Sequence, residues 1–183
     1  LNSGGVRLNN QEIRNCIYSG AFNDLLKKID RENRAWKQVT RQIWGKMDRF
    51  RSVEILLRVL AFTQNLRNYD GNLAGFLNDY MLAASKSSPE ALEIISANLT
   101  TMAGLAAMVL ESLSSGKKSL TFVEGILVGI LANVANVPAS TDATAPEWIR
   151  QRVERFTNLT IFGDGARYAL ANAQIVKERL QQA

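Results

Sequence analysis

Histidine is absent from this chain of 183 residues. That absence removes more chemistry than any other feature. Without an imidazole there is no Ser-His-Asp or Cys-His nucleophile system, and no His-Asn-His nuclease site. The commonest transition-metal ligand is gone as well. Cysteine occurs once, at Cys16, so no intrachain disulfide forms and a reducing, cytoplasmic setting is expected. Cys16 itself reads as a small buried residue on the first helix. Proline occurs three times, at Pro89, Pro138 and Pro146, and no long polar tract is present, so disorder is expected only at the ends. No secretory signal is visible. Alternation with period two is nowhere sustained, which leaves no basis for a strand. The Asn98-Leu99-Thr100 and Asn158-Leu159-Thr160 triplets fit a glycosylation pattern that has no meaning in a cytoplasmic protein.

What is present suits one helical domain. Hydrophobic residues make up 46% and charged residues 21%, ordinary values for a chain of this length with a buried core. The net charge of +5 is placed unevenly. Residues 1–60 hold 12 Lys and Arg against 6 Asp and Glu, whereas residues 61–183 hold 10 against 11. The densest stretch runs from Lys27 to Arg51 and includes Lys27, Lys28, Arg31, Arg34, Lys37, Arg41, Lys46 and Arg49, with only Asp30, Glu32 and Asp48 as acids. Trp36 and Trp44 are interleaved. Such a stretch suits contact with a phosphate backbone, where cations displace counterions. The competing reading is a solvated helical face with both tryptophans packed inside.

Apolar spacing predicts an all-α, multi-helix bundle of seven to nine helices. Short helices are expected over Gln11–Tyr18, Ala21–Asp30 and Arg34–Ile43. The Phe50–Arg67 helix is apolar over most of its circumference and is expected at the centre of the bundle. Its narrow polar strip includes Arg51, Glu54, Arg58 and Asn65. Leu73–Ser85 follows. Ser88-Pro89-Glu90 is a start signal for a helix reaching about Ser114. Thr121–Asn136 carries Gly125 and Gly129 four apart, a spacing that lets a neighbouring helix approach closely. Glu124, Asn133 and Asn136 interrupt this run, so it reads as a buried helix and not a membrane span. Val137–Ala145 is expected as a loop, Pro146 opens a helix carrying Trp148, Ile149, Val153 and Phe156, Asn158–Gly165 is a break, and Ala166–Gln181 closes the chain.

Two patterns invite over-reading. Ser115-Gly116-Lys117-Lys118-Ser119 follows a helix and lacks the leading glycine of a phosphate loop, since position 111 is Glu111. A helix end is expected there. Glu90, Glu93, Glu111 and Glu124 are too dispersed to suggest a metal cluster, so no metal ligand is assigned.

The opening block, Leu1-Asn2-Ser3-Gly4-Gly5-Val6-Arg7-Leu8-Asn9-Asn10-Gln11-Glu12-Ile13-Arg14-Asn15, carries the most specific signal. A glycine pair lets a loop lie against a surface or a phosphate, and Asn9 or Asn10 can cap the following helix. The block resembles the Phe-x-Arg-Leu-Asn-x-Gly-Gly-x-x-Leu-x-x-Gln-Glu-Ile-Arg-Asn signature of proteins with a ParB/sulfiredoxin-like nuclease domain, among them the GmrSD modification-dependent restriction enzymes. The likeness continues through Asn15-Cys16-Ile17-Tyr18-Ser19-Gly20-Ala21-Phe22-Asn23-Asp24-Leu25-Leu26, Trp36, the block from Arg51 to Arg58, and Phe76-Leu77-Asn78-Asp79-Tyr80-Met81. It covers about the first 85 residues; Val137–Gly165 carries no motif of the family. The bland alternative for the block is an N-capped helix with Glu12 and Arg14 solvated.

The resemblance implies a role at a site edge for Asn2, Glu12, Arg14 and Asn15, with residues 1–20 bordering another domain. It also implies that the family's Asp-Gly-Gln-Gln-Arg catalytic motif, absent here, belongs to an N-terminal region of a longer protein. On this reading the chain is the helical part of a DNA-targeting, nucleotide-dependent, restriction-type defence protein. Its partners are DNA and the N-terminal domain. Nucleotide and divalent metal are cofactors of the parent and not of this stretch, which has no catalysis of its own. Lys27, Lys28, Arg31, Arg34, Lys37 and Arg41 are the candidate backbone contacts. The alternative is a helical module for homodimerisation or protein contact, and a complete small enzyme is the third and weakest reading.

Overall fold

The computed structural model describes residues 8–43, 50–113, 116–136, 147–157 and 172–182. Over these the chain is an all-α bundle of nine α-helices, as the apolar spacing predicts: α1 (Asn10–Ile17), α2 (Ala21–Glu32), α3 (Arg34–Arg41), α4 (Arg51–Asn65), α5 (Leu73–Ala84), α6 (Pro89–Ser112), α7 (Leu120–Ala132), α8 (Glu147–Thr157) and α9 (Ala173–Gln182). Among the described residues the only extended pairing is an isolated parallel bridge between Ile43 and Lys118. Trp44, Lys46, Asp48 and Arg49, the loop expected over 137–145 and the break over 158–165 lie outside the described residues, as does the first part of the predicted last helix.

Helix starts follow local chemistry. Asn9 and Glu12 form a reciprocal capping box: the Glu12 amide donates to Asn9 Oδ1 and the Asn9 amide to Glu12 Oε2, each at 2.9 Å. Asn33, Asn72, Ser88 and Ser119 each accept from a backbone amide of the first turn that follows. Gly20 precedes α2 at φ 144°, a conformation that a Cβ would strain. The predicted Phe50–Arg67 helix is shorter at both ends. Phe50 adopts a left-handed conformation and sits at the cap, and Leu66–Asn68 tightens into a 3₁₀ turn. The expected Thr121–Asn136 helix ends at Ala132, and Val134–Asn136 likewise forms a 3₁₀ turn.

The core is built on α4. Val53, Ile55, Leu56, Leu57, Val59, Leu60, Ala61 and Phe62 are all buried, because α1, α2, α5 and α7 pack around this helix. Enclosure on so many sides leaves little room for polar groups, which is what its thin polar strip implies. Every residue over 123–131 of α7 is buried as well. α6 lies along α3, α2 and α7. Its length and composition would allow it to cross a membrane, yet here Leu99, Met102, Ala103, Ala106, Val109 and Leu110 face the protein core. Phe62, Tyr69 and Phe76 form an aromatic triangle with centroids 5.1–5.3 Å apart beside α4.

Candidate functional site

The basic segment folds into two successive helices whose apolar residues point inward. Phe22, Leu26 and Ile29 of α2 and Trp36 and Val39 of α3 are buried. With helical spacing this leaves Lys28, Arg31, Arg34, Lys37 and Arg41 exposed and Lys27 half-buried. Among the described residues this stretch presents exposed cations and no exposed aromatic. Trp36 has no accessible surface and its indole N–H donates to Asp30 Oδ1 at 3.0 Å, so it belongs to the core, as the competing reading of this stretch holds. Arg31 pairs with Glu32 at 2.7 Å in full solvent. That contact, with help from Lys28, holds the Glu32 carboxyl below its usual range. Exposed pairs of this kind are weak and screened, so they leave the cations free to exchange partners.

The motif helix α1 is built inside out. Gln11, Glu12 and Arg14 are buried, whereas Leu8, Ile13 and Ile17 are exposed, Ile17 by 65%. Cys16 is exposed as well, contrary to the expectation of a buried thiol, because it shares the outer side of α1 with these apolar residues. Glu12 closes the capping box and Arg14 is inserted, so neither is solvated. Arg14 donates through Nε to Gln11 Oε1 at 2.9 Å and through Nη2 to Glu54 Oε2 of α4 at 2.6 Å. Burial lowers the Arg14 pKa, and Glu54 opposes that shift. Gln11 also donates to Asn15 Oδ1 at 3.1 Å, and Asn23 Nδ2 donates to the Asn15 carbonyl at 3.3 Å. Asn15 Nδ2 and Asn23 Oδ1 are buried without partners. Arg14 thus ties α1 to Glu54 of α4, Asn15 ties it to Asn23 of α2, and Glu12 closes its N-terminal cap. Asn2 lies outside the described residues.

A second buried charge system carries no signature as a site in the sequence. Arg58, expected on the polar strip of the central helix, is only 5% exposed. It grips Glu124 of α7 through two bonds, Nε to Oε1 at 3.0 Å and Nη2 to Oε2 at 2.7 Å. Glu124 is fully enclosed. Arg179 of α9 reaches the same carboxylate only at 3.9 Å, beyond hydrogen-bonding distance, and its Nε, Nη1 and Nη2 have no acceptor. Burial lowers the Arg179 pKa and Arg58 adds to the shift, while Glu124 and Tyr69 oppose it. Burial also raises the Tyr69 phenol above its ordinary range. Glu124 and Arg58 lie 66 residues apart in the chain. Their one visible signal is a lone acid in an otherwise apolar run.

Among the described residues no group of three His, Cys, Asp or Glu side chains could hold a metal ion. The chain matches no family model, no curated protein and no solved structure.

Proposed function

We propose that this bundle is the helical part of a DNA-targeting, nucleotide-dependent, restriction-type protein. In this reading it seats the edge of the nuclease or nucleotide site and contacts the DNA backbone. The supporting observation is the face formed by Lys28, Arg31, Arg34, Lys37 and Arg41. All five are exposed on consecutive helices while the hydrophobic side of both helices is packed into the core. Lysine and arginine on such a face neutralise phosphates without reading bases. The motif block supplies the family reading, and the inside-out α1 supports docking of a further domain against Leu8, Ile13 and Ile17. Chemistry belongs to that further domain. Here Arg14 and Asn15 hold α1 against α4 and α2, and Glu12 caps it.

Changing Lys28, Arg34, Lys37 and Arg41 together to glutamate tests the backbone contact. Binding of duplex DNA by the intact protein is expected to weaken for all sequences alike. The slope of log affinity against log salt should fall by about 0.9 for each phosphate no longer neutralised. Equal affinity and an equal slope before and after the change would overturn the assignment. The second reading, a module for self-association, is favoured by the same exposed Ile13 and Ile17. It predicts a dimer in sedimentation that Ile17→Glu dissociates.

A further inference from the structure

We infer that the centre formed by Arg58, Glu124 and Arg179 is a binding site for a small phosphate-type oxyanion, held against the Arg179 guanidinium beneath α9. The charges do not close without one. Two arginines face one glutamate: Arg58 bonds each carboxylate oxygen, at 3.0 and 2.7 Å, while Arg179 stands off at 3.9 Å, too far for a hydrogen bond. Arg179 is 1% exposed and keeps its proton at any physiological pH. Its three nitrogens nevertheless have no acceptor. A guanidinium is a rigid fork of donors that fits the oxygens of phosphate two at a time. Three unused nitrogens on one plane call for an acceptor with several oxygens. One bound anion would also bring this part of the core close to neutrality.

Access is through α9. This helix has ten residues, too few to persist without tertiary packing; Val176 and Leu180 are its buried apolar anchors, Ala173 packs beside them, and Lys177 Nζ donates to the Arg67 carbonyl at 3.0 Å. Along its flank lies a polar hollow of about 650 Å³ lined by Gln64, Asn65, Asn68, Arg67 and Lys177, with no acid among its lining residues. The hollow brings solvent and positive charge beside the helix. Local lifting of a short helix is the low-energy kind of opening, and an anion bound beneath it would hold it down. The site is distinct from the exposed face of α2 and α3, and it does not rest on the DNA reading.

Inorganic phosphate is the first probe, compared with chloride at matched ionic strength on the full chain. Hydrogen exchange of residues 173–182 is the readout, with Tm alongside. At about a hundred times its Kd, phosphate should slow exchange in α9 about 100-fold and raise Tm. Arg179→Gln should abolish both effects. Arg179→Lys, which keeps the charge but loses the fork, should bind more weakly than the native protein. Adenosine monophosphate is the second probe. Protection by it equal to or greater than that by phosphate assigns the site to the phosphoryl group of a nucleotide, and protection by inorganic phosphate alone assigns it to the free anion. Absence of protection by either probe in the native protein overturns the proposal, and so does protection that persists in Arg179→Gln. If Arg179→Gln does not fold, the native protein and Arg179→Lys decide the question by the same readout.

Discussion

Two arginine–glutamate pairs meet on α4 one helical turn apart, and they are built differently. At the rim, Arg14 joins Glu54, which keeps 24% of its side chain in solvent, and Gln11 provides a second acceptor. At the centre, Arg58 and Glu124 are both withdrawn from water and satisfy each other through two bonds. The rim pair can give up one bond and fall back on water or an amide. The central pair has no such reserve, and Arg179 beside it adds a charge that Glu124 does not fully meet. Burial sets the consequence of breaking a pair more than the identity of the partners does. The rim pair therefore acts as an adjustable seat for α1, while the central pair locks α4 to α7.

Substitutions can break this contrast. The largest effect is expected for Glu124→Gln, which removes the buried negative charge facing Arg58 and Arg179 and one of the two acceptors of Arg58. It should lower unfolding free energy by about 3–5 kcal/mol, read as a fall in the urea midpoint. A loss below about 1 kcal/mol would mean that water reaches the centre and that the two pairs are equivalent. Arg14→Met keeps the apolar stem of the side chain and leaves Glu54 able to hydrate. A smaller loss, about 1–3 kcal/mol, is expected from the buried donors removed. If it equals the loss for Glu124→Gln, the rim pair has no more reserve than the central one. The smallest effect belongs to the fully exposed pair. Arg31→Ala should change stability by less than about 0.5 kcal/mol, with no change in the circular dichroism spectrum; a lowered affinity for DNA in the same variant is expected only on the proposed backbone-binding function.

The helical class of the fold is legible because burial of a helix side imposes a 3.6-residue period, and Val53, Leu56, Leu57 and Leu60 display it directly, whereas Phe50, read as part of the same stripe, is exposed at the cap. Caps are legible for a local reason, since Ser88-Pro89-Glu90 and Asn9 satisfy amides within a turn of themselves. What fails is the inference of burial from polarity. Arg58 looks like solvent-facing strip because its partner Glu124 lies on another helix, and no local pattern links them. Cys16 looks buried because it is small and apolar, but α1 turns its polar side inward. Gln11, Glu12 and Arg14 can be buried only because Glu54 and Asn9 supply partners, and pairing across elements is invisible to periodicity. The basic face is legible as a run of charges. That Trp36 turns away from it follows from the position of Asp30, which sequence spacing alone does not assign as a partner.

The bridge between Ile43 and Lys118, where the Lys118 amide donates to the Gln42 carbonyl at 2.7 Å, bears on the order of assembly. It fastens the end of α3 to the start of α7, and α4, α5 and α6 lie on the loop so enclosed. The entropy of closing a loop grows only as the logarithm of its length. Contacts near in sequence, such as those between α4 and α5, therefore have a head start in time over this one. By its sequence separation the bridge is expected to fasten after the shorter-range contacts it encloses. Insertions into the turns between α4 and α6 would lengthen the enclosed loop at little thermodynamic expense, whereas a proline at position 118 would remove the amide that closes it.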